Sequence, residues 1–317
     1  MADRFKVLIA YDGSDCADAA LADLQYAGLP PETDALVVSI AEVWVKDEGI
    51  DNESAPGEAP PAQVMSLHAR SGLQKAQVLA RKAVTWIGEH FPAWHAEGKV
   101  YPDSPSWGIL NAADEWKPDL IVVGSHGRSL FGRVILGSVS QKVLTEAACS
   151  VRIGRSTTLV HDAPLRLVIG MDDTPDSTAA VEVIARRNWP AGTSVRVVCA
   201  VELADLPIGI PLDYDVTQWA TEGTMQLRQR MEKAGAEAVA RLGAAGLLAD
   251  LAVREGAASA IILAEARDIG ANCIVLGARG HRFLERFLLG SVSLAVARHA
   301  DCTVEIVRSP KAAPASA

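Results

Sequence analysis

Apolar residues along this chain fall into short continuous runs separated by stretches of helical patterning. Runs such as Leu120-Ile121-Val122-Val123 show no alternation with polar residues, as expected of strands covered on both faces. In the first half this pattern predicts strands over 5–11, 35–41, 96–101, 119–124 and 150–154. It predicts helices over 15–27, about 63–90, 105–116 and 138–147. The second half predicts strands over 165–171, 194–201, 249–254, 272–277 and 303–307, with helices over 175–187, about 215–245, 257–269 and 291–299. Regular strand–helix alternation implies an α/β fold whose sheet is mainly parallel, with right-handed crossovers.

The two halves are copies of one pattern. Val7-Leu8-Ile9-Ala10-Tyr11-Asp12-Gly13-Ser14 resembles Leu167-Val168-Ile169-Gly170-Met171-Asp172-Asp173-Thr174. Ile121-Val122-Val123-Gly124-Ser125-His126-Gly127 matches Ile274-Val275-Leu276-Gly277-Ala278-Arg279-Gly280, and Leu136-Gly137-Ser138-Val139-Ser140 matches Leu289-Gly290-Ser291-Val292-Ser293. Gly277, Gly290 and Cys302 each follow Gly124, Gly137 and Cys149 by 153 residues, whereas Asp172 follows Asp12 by 160. The difference falls in the variable middle of each half. Three ordered matches indicate duplication, a conclusion that 317 residues accommodates as two domains. These are expected over 1–156 and 164–309, with a linker near 155–164. The acidic, Pro-rich segment 46–62 and its shorter counterpart 205–215 are expected to be surface loops, and the tail from Pro310 to be frayed.

Charge and composition narrow the classes of partner. A net charge of −9 argues against nucleic acid, because phosphate-backbone binding needs a basic surface. A small anion stays compatible, since backbone N–H groups can hold it locally. No run approaches 18 uninterrupted apolar residues, so no membrane span is expected. The first residues carry no secretory apolar region, which makes a cytoplasmic location the expectation. Five cysteines without a Cys-x-x-Cys pair read as buried small hydrophobes in a reducing compartment. His68, His90, His95, His161 and His299 show no metal-ligand spacing.

The candidate chemistry is a repeated Gly-x2-Gly-x9-Gly-Ser: Gly124, Gly127, Gly137 and Ser138, then Gly277, Gly280, Gly290 and Ser291. In each copy the first glycine ends an apolar strand and the Gly-Ser opens a helix. Ligands of open parallel sheets sit beyond the carboxyl ends of the strands. Glycines there let backbone N–H groups approach phosphate oxygens, and the unpaired N–H groups of the next helix point to the same place. Glycines that merely end strands and cap helices would need no ligand, but two copies with identical spacing favour the phosphate reading. Arg128 and Arg133 lie in the first loop, and Arg279, Arg282 and Arg286 in or beside the second, with Glu285 partly offsetting them. The second feature is an acid after the first strand, Asp12 and Asp172. Such an Asp serves as a helix N-cap or turn former. In a doubly wound sheet whose first and fourth strands are neighbours it would also sit beside the first glycine, within reach of a ribose hydroxyl or adenine amine.

The strand-end Asp, the Gly-x2-Gly-x9-Gly-Ser loop and the closing Cys-x-Val strands (Cys149-Ser150-Val151, Cys302-Thr303-Val304) together resemble the ATP-binding branch of the universal stress protein family, in a tandem arrangement. The resemblance implies two doubly wound domains, each with a five-stranded sheet in order 3-2-1-4-5 and ATP, with Mg2+, at its carboxyl edge. By position, Asp12 and the backbone of Ile40 would hold the nucleoside, while Gly124, Gly127, Arg128, Gly137, Ser138 and Val139 would hold ribose and phosphates. The matching positions in half two are Asp172, Ala200, Gly277, Gly280, Gly290, Ser291 and Val292. Half two has Asp173 where half one has Gly13; a carboxylate there repels phosphates or recruits a divalent ion, which favours the first site. Family members commonly pair through their last strands, so the halves are expected to form a pseudo-dimer within one chain, with a homodimer also open.

An ATPase, or a relative of the adenylating α-hydrolases, lacks its parts here. No Gly-x4-Gly-Lys-Ser/Thr loop is present, and Tyr11-Asp12-Gly13-Ser14-Asp15 replaces the Ser-Gly-Gly-x-Asp-Ser loop of the adenylating enzymes. His126 and His281 lie by the glycine loops, but the sequence places no carboxylate to orient either as a base. A structural module with empty sites is disfavoured by the intact glycines. The expectation is therefore a nucleotide-binding regulatory or stress-response protein, with slow ATP hydrolysis as the alternative.

Overall fold

The uninterrupted apolar runs become the inner strands of one sheet. The computed structural model describes residues 4–41, 62–126, 136–155, 164–202, 214–280 and 289–309. The first half comprises β1 (Phe5–Ala10), α1 (Asp15–Asp23), β2 (Thr33–Ala41), α2 (Ala62–His90), β3 (His95–Pro102), α3 (Pro105–Trp116), β4 (Leu120–Gly124), α4 (Ser138–Glu146) and β5 (Ser150–Gly154). The second comprises β6 (Arg166–Met171), α5 (Pro175–Arg186), β7 (Ser194–Val201), α6 (Tyr214–Ala244), β8 (Leu248–Glu255), α7 (Ala258–Asp268), β9 (Cys273–Gly277), α8 (Ser291–His299) and β10 (Thr303–Val307). Every element predicted from the pattern is present. Most of segments 46–62, 155–164 and 205–215, and the tail from Pro310, lie outside the described residues.

The ten strands form one sheet in the order β3-β2-β1-β4-β5-β10-β9-β6-β7-β8. Each half thus has the predicted order 3-2-1-4-5. All pairings are parallel except β5 with β10, which are antiparallel and join the halves. One apolar cluster runs across both halves on the face covered by α3, α4, α7 and α8. On the opposite face the core is divided, one cluster lying under α1 and α2 and the other under α5 and α6. The outermost strands β3 and β8 carry exposed charged residues, among them Glu97, Lys99, Asp250, Arg254 and Glu255, which blunts the two open edges against further pairing.

The predicted helix 15–27 is shorter than expected. It ends at Asp23 and continues as a single 3-10 turn over Leu24–Tyr26. The chain then bends at Gly28 with φ +63°, a left-handed conformation suited to glycine. The other half claims the carbonyls there: Asn188 N–H donates to Gly28 O at 2.9 Å and Arg187 Nη1 to Ala27 O at 3.1 Å.

A buried ionic network lies beneath this contact. Arg152 on β5 donates through Nε to Asp23 Oδ2 at 2.6 Å and through Nη1 to Glu305 Oε2 at 2.9 Å on β10. Arg187 binds Glu305 with both terminal nitrogens, and Thr303 Oγ1 donates to Asp23 Oδ1 at 2.7 Å. Arg152 and Glu305 are at most 1 % exposed. Burial raises the Glu305 pKa, but the charges of Arg187 and Arg152 outweigh it and hold the carboxyl below its ordinary value. Both members of the pair are therefore ionised.

Candidate functional site

In half two, the carboxyl ends of β6, β7 and β9 open into a cavity of about 570 Å³. Its lining includes all seven half-two positions named from the sequence: Asp172, Ala200, Gly277, Gly280, Gly290, Ser291 and Val292. Met171, Val198, Leu227, Met231, Ile262 and Leu276 make most of the rest apolar, while Glu202, Arg230 and Arg279 supply charge. The volume lies in the range of small-molecule sites, and a mainly apolar wall with a few convergent polar groups is their usual composition.

The acid after β6 is neither a helix cap nor isolated. Asp172 Oδ1 accepts from Thr174 N–H at 3.2 Å and Thr174 Oγ1 at 2.6 Å. It therefore shapes the turn, while Thr174 caps α5 in a capping box with Ser177. Half one repeats the arrangement: Asp12 Oδ1 accepts from Ser14 N–H at 3.0 Å and Ser14 Oγ at 2.6 Å, and Ser14 caps α1. Asp172 also faces the loop glycine, because a Cβ on Gly280 would lie 2.8 Å from Asp172 Oδ2.

The expected penalty of Asp173 is met by a partner that sequence reading missed. Asp173 takes φ +61°, matching Gly13 at +76°, so the turn keeps its left-handed residue without glycine. Arg230, from the middle of α6, lies against Asp173 Oδ2 with Nε at 2.8 Å. The extra carboxylate is thus neutralised by a cation that itself lines the cavity. No sequence signal ties residue 230 to residue 173, because their approach depends on how α6 packs against the sheet. Among the described residues no cluster of three or more His, Cys, Asp or Glu side chains could hold a metal ion.

The motif glycines divide into different physical roles. A Cβ on Gly124 would lie 2.8 Å from the backbone of Cys16, and one on Gly277 would lie 2.6 Å from the Asp176 carbonyl carbon. These two glycines let the starts of α1 and α5 rest on the strand ends. The helix-opening glycines are also matched: Gly137 N–H donates to Ser125 O at 2.8 Å and Gly290 N–H to Ala278 O at 2.8 Å. Ser140 and Ser293, one turn in, tie their helices to Gly124 O and Gly277 O at 2.6 and 2.8 Å. Neither α4 nor α8 has a side-chain N-cap hydrogen bond among the described residues. Their first-turn N–H groups therefore point outward as an anion-accepting end.

Half one shares this scaffold in its described part, which holds Asp12, Ile40, Gly124, Gly137, Ser138 and Val139. Gly127, Arg128 and Arg133 lie outside the described residues, as do His281, Arg282, Glu285 and Arg286 of half two. Ile40 ends β2 against α3, where a Cβ on Gly108 would meet its Cδ1 at 2.5 Å. The cavity described above is that of half two, while much of the loop of half one lies outside the described residues.

The halves also differ behind the loop. In half two Arg279 grips Asp176 with Nε–Oδ2 at 2.8 Å and Nη2–Oδ1 at 3.1 Å, and Ser309 Oγ donates to Asp176 Oδ1 at 2.7 Å. Arg279 is therefore engaged from behind and is less available to a ligand than its loop position implied. In half one the corresponding residues are His126 and Cys16, linked through Ser125: His126 Nδ1 to Ser125 Oγ is 3.1 Å and Ser125 Oγ to Cys16 Sγ is 3.7 Å. Burial, aided by the charge of Arg155, lowers the His126 pKa from 6.5, so the ring is neutral at pH 7. Its Nε2 is buried without a hydrogen-bond partner among the described residues. His90 and His299 bond carbonyls of their own helices, and His95 bonds Glu97. All five cysteines are free thiols. Burial pushes Cys149, Cys199 and Cys273 up to about 12 and Cys302 to about 11, which leaves these four unreactive as nucleophiles.

Comparison with known proteins finds the model of the universal stress protein family matching residues 4–155 and again 165–308. A universal stress protein of Mycobacterium tuberculosis is 29% identical over 199 residues, covering 60% of this chain and 62% of the relative. This chain thus spans less than two thirds of that relative's length. A universal stress protein of Mycolicibacterium smegmatis is 25% identical over 325 residues, covering 97% of this chain and 98% of its own. Among solved structures, a universal stress protein from Archaeoglobus fulgidus superposes with a TM-score of 0.60 at 18% identity, over 96% of this chain and 97% of that one. The structural likeness speaks to the fold.

Proposed function

The chain belongs to the universal stress protein family, with two of its domains in tandem, and on that premise we propose that it binds ATP, with Mg2+, at the carboxyl edge of each half. It acts as a nucleotide-binding regulatory protein, and turnover is not its purpose. One observation carries the reading: a single cavity of about 570 Å³ is lined by all seven half-two residues that spacing and resemblance had singled out. The apolar wall of Met171, Val198 and Ile262 suits a base. Asp172 suits a ribose hydroxyl, and the uncapped start of α8 suits phosphate oxygens. The neutralisation of Asp173 by Arg230 removes the objection to phosphate in half two. Half one carries the same turn, helix start and glycine packing, which supports a second site there. The antiparallel β5–β10 pairing supports reading the two halves as a pseudo-dimer within one chain.

Catalysis is disfavoured because the site assembles binding groups without a placed base. His126 is neutral, but its Nδ1 is engaged by Ser125, and among the described residues no carboxylate orients it. Any Mg2+ would arrive with the phosphates. The chain's own contribution is to cradle and orient them, and the metal's chemistry when bound is to offset their charge.

The test is the nucleotide content of the purified protein after denaturation, together with thermal unfolding in millimolar MgATP. Released ATP and a higher Tm are expected; ligand at 100 times its Kd stabilises by about 2.7 kcal/mol. ADP alone, with turnover of added ATP, would establish the hydrolase alternative. Absence of both nucleotide and thermal shift would refute the proposal.

A further inference from the structure

We propose that the buried Arg152–Glu305 pair makes the joining edge of each half selective, so that β5 accepts β10 and rejects a second copy of itself. The repeat places these two residues at equivalent positions, 153 residues apart, yet with opposite charge. The sheet register sets them directly opposite each other, with Val304 facing Ile153 and Ile306 facing Val151. They therefore stand where the pseudo-twofold relating the halves crosses the sheet. In a twofold contact, the residue on the axis faces its own copy. Pairing like with like would set Arg152 against Arg152, or Glu305 against Glu305, at a place where each is at most 1 % exposed.

The strand residues that flank the axis do not discriminate, although the contacts of Arg187 with Ala27 O and of Asn188 with Gly28 O also join unlike halves. Val151 and Ile153 correspond to Val304 and Ile306 in the repeat, so the apolar contacts would be kept in either kind of pairing. The same holds for the flanking arginines. Arg155 Nη2 donates to Ala297 O, at the end of α8, at 2.6 Å, and Arg308 Nη2 donates to Leu144 O, on α4, at 2.8 Å. Arg155 and Arg308 are repeat equivalents, as are Leu144 and Ala297. Like pairing would preserve both contacts. Each half also supplies its own counter-ion, Asp23 for Arg152 and Arg187 for Glu305, which balances the charge before the halves meet. The axial residue then decides between attraction and repulsion, a selectivity exercised through the rejected partner as much as the accepted one. This inference rests on the strand pairing and is independent of the nucleotide reading.

The test uses the full-length chain with a protease recognition sequence inserted within 156–163. The protein is unfolded, refolded over a range of chain concentrations, cleaved after refolding, and weighed by native mass spectrometry. The wild type is expected to give only pairs of half one with half two at every concentration. A chain carrying Asp23→Asn, Arg152→Leu, Arg187→Gln and Glu305→Leu keeps an apolar joint without the charges. It is expected to give like pairs as well, in a share that rises with concentration as pairing between chains competes with the linked partner. Arg187→Gln with Glu305→Gln, a gentler change, removes the axial charge of half two together with its own counter-ion. It is expected to give half-two pairs without half-one pairs. Like pairs in the wild type would overturn the proposal, and so would refolded variants that yield unlike pairs alone.

Discussion

Two glycines three residues apart should fail in opposite ways when given a methyl group. In Gly277→Ala the new Cβ would meet backbone, 2.6 Å from the carbonyl carbon of Asp176 and 2.7 Å from the Ser177 nitrogen. Neither atom can swing aside. Both belong to the first turn of α5, held by Pro175, the Thr174–Ser177 capping box and the Arg279 grip on Asp176. Restoring ordinary contact requires the helix start to retreat by about 0.8 Å, and strain of this kind in a packed interior costs roughly 1–3 kcal/mol. Rigid neighbours put this site in the upper part of that range, about 2–3 kcal/mol, or a Tm lower by about 4–12 °C. In Gly280→Ala the Cβ meets, among the described residues, the Asp172 Oδ2 atom at 2.8 Å, a side-chain end that can shift while Oδ1 keeps its hydrogen bonds to Thr174. Stability should change by no more than about 0.5 kcal/mol. The displaced carboxylate, however, would forfeit a charged hydrogen bond to the nucleoside, which is worth about 1.5–3 kcal/mol or roughly 10- to 150-fold in affinity. Thermal unfolding of wild type and both variants, with and without MgATP, separates the two effects. If Gly280→Ala lowered Tm as much as Gly277→Ala while keeping the ATP shift, the division of roles between these glycines would be wrong.

Other consequences follow from the ion pairs and thiols. Burial works to raise the Asp176 pKa, but hydrogen bonds from Arg279 and Ser309 outweigh it and hold the group below 3.8. The stabilisation is thus fully present above the unfolded-state value of about 3.9 and is lost as pH falls through the folded-state value. Denaturant titrations should show Asp176→Asn less stable than wild type by about 1.5–3 kcal/mol at pH 7, with the gap closing in strong acid; a gap independent of pH would refute the assignment. Arg230→Gln should leave stability within about 0.5 kcal/mol, because the pair is exposed. It should weaken MgATP binding to half two in calorimetry by freeing the Asp173 charge, and unchanged affinity would remove Arg230 from the site. A thiol alkylating agent followed by peptide mass spectrometry should label the partly exposed Cys16 in the native protein. Cys199, Cys273 and Cys302 should react only after unfolding, and native labelling of any of these would contradict their burial.

The described features of the site were unevenly legible beforehand. Spacing alone marked Gly277, Gly280, Gly290 and Ser291, because a strand-ending glycine and a helix-opening Gly-Ser leave a local trace. Asp172 was marked too, though its first duty is to shape the turn that Thr174 caps. The long helix α6 left no such trace. Arg230, Leu227 and Met231 join the cavity wall through tertiary packing across a variable segment. The weight placed on Asp173 could not take into account that its charge is countered by a residue 57 positions away.

By itself the sequence determined the duplication and the alternation of strands and helices, while the strand order within each half was implied by the family resemblance that its motifs carry. The duplication and the alternation rest on local patterns written in neighbouring residues. Pairing of the halves through their last strands was implied by the resemblance, but only the tertiary structure decided that this pairing is antiparallel and that Arg152, Asp23, Arg187 and Glu305 converge beneath the joint. It also decided which carboxylates near the loops are neutralised and by which arginines. The physical reason is the range of the forces. Backbone periodicity acts over a few residues, whereas a buried charge is settled by whatever partner the fold brings within about 3 Å, at any distance along the chain.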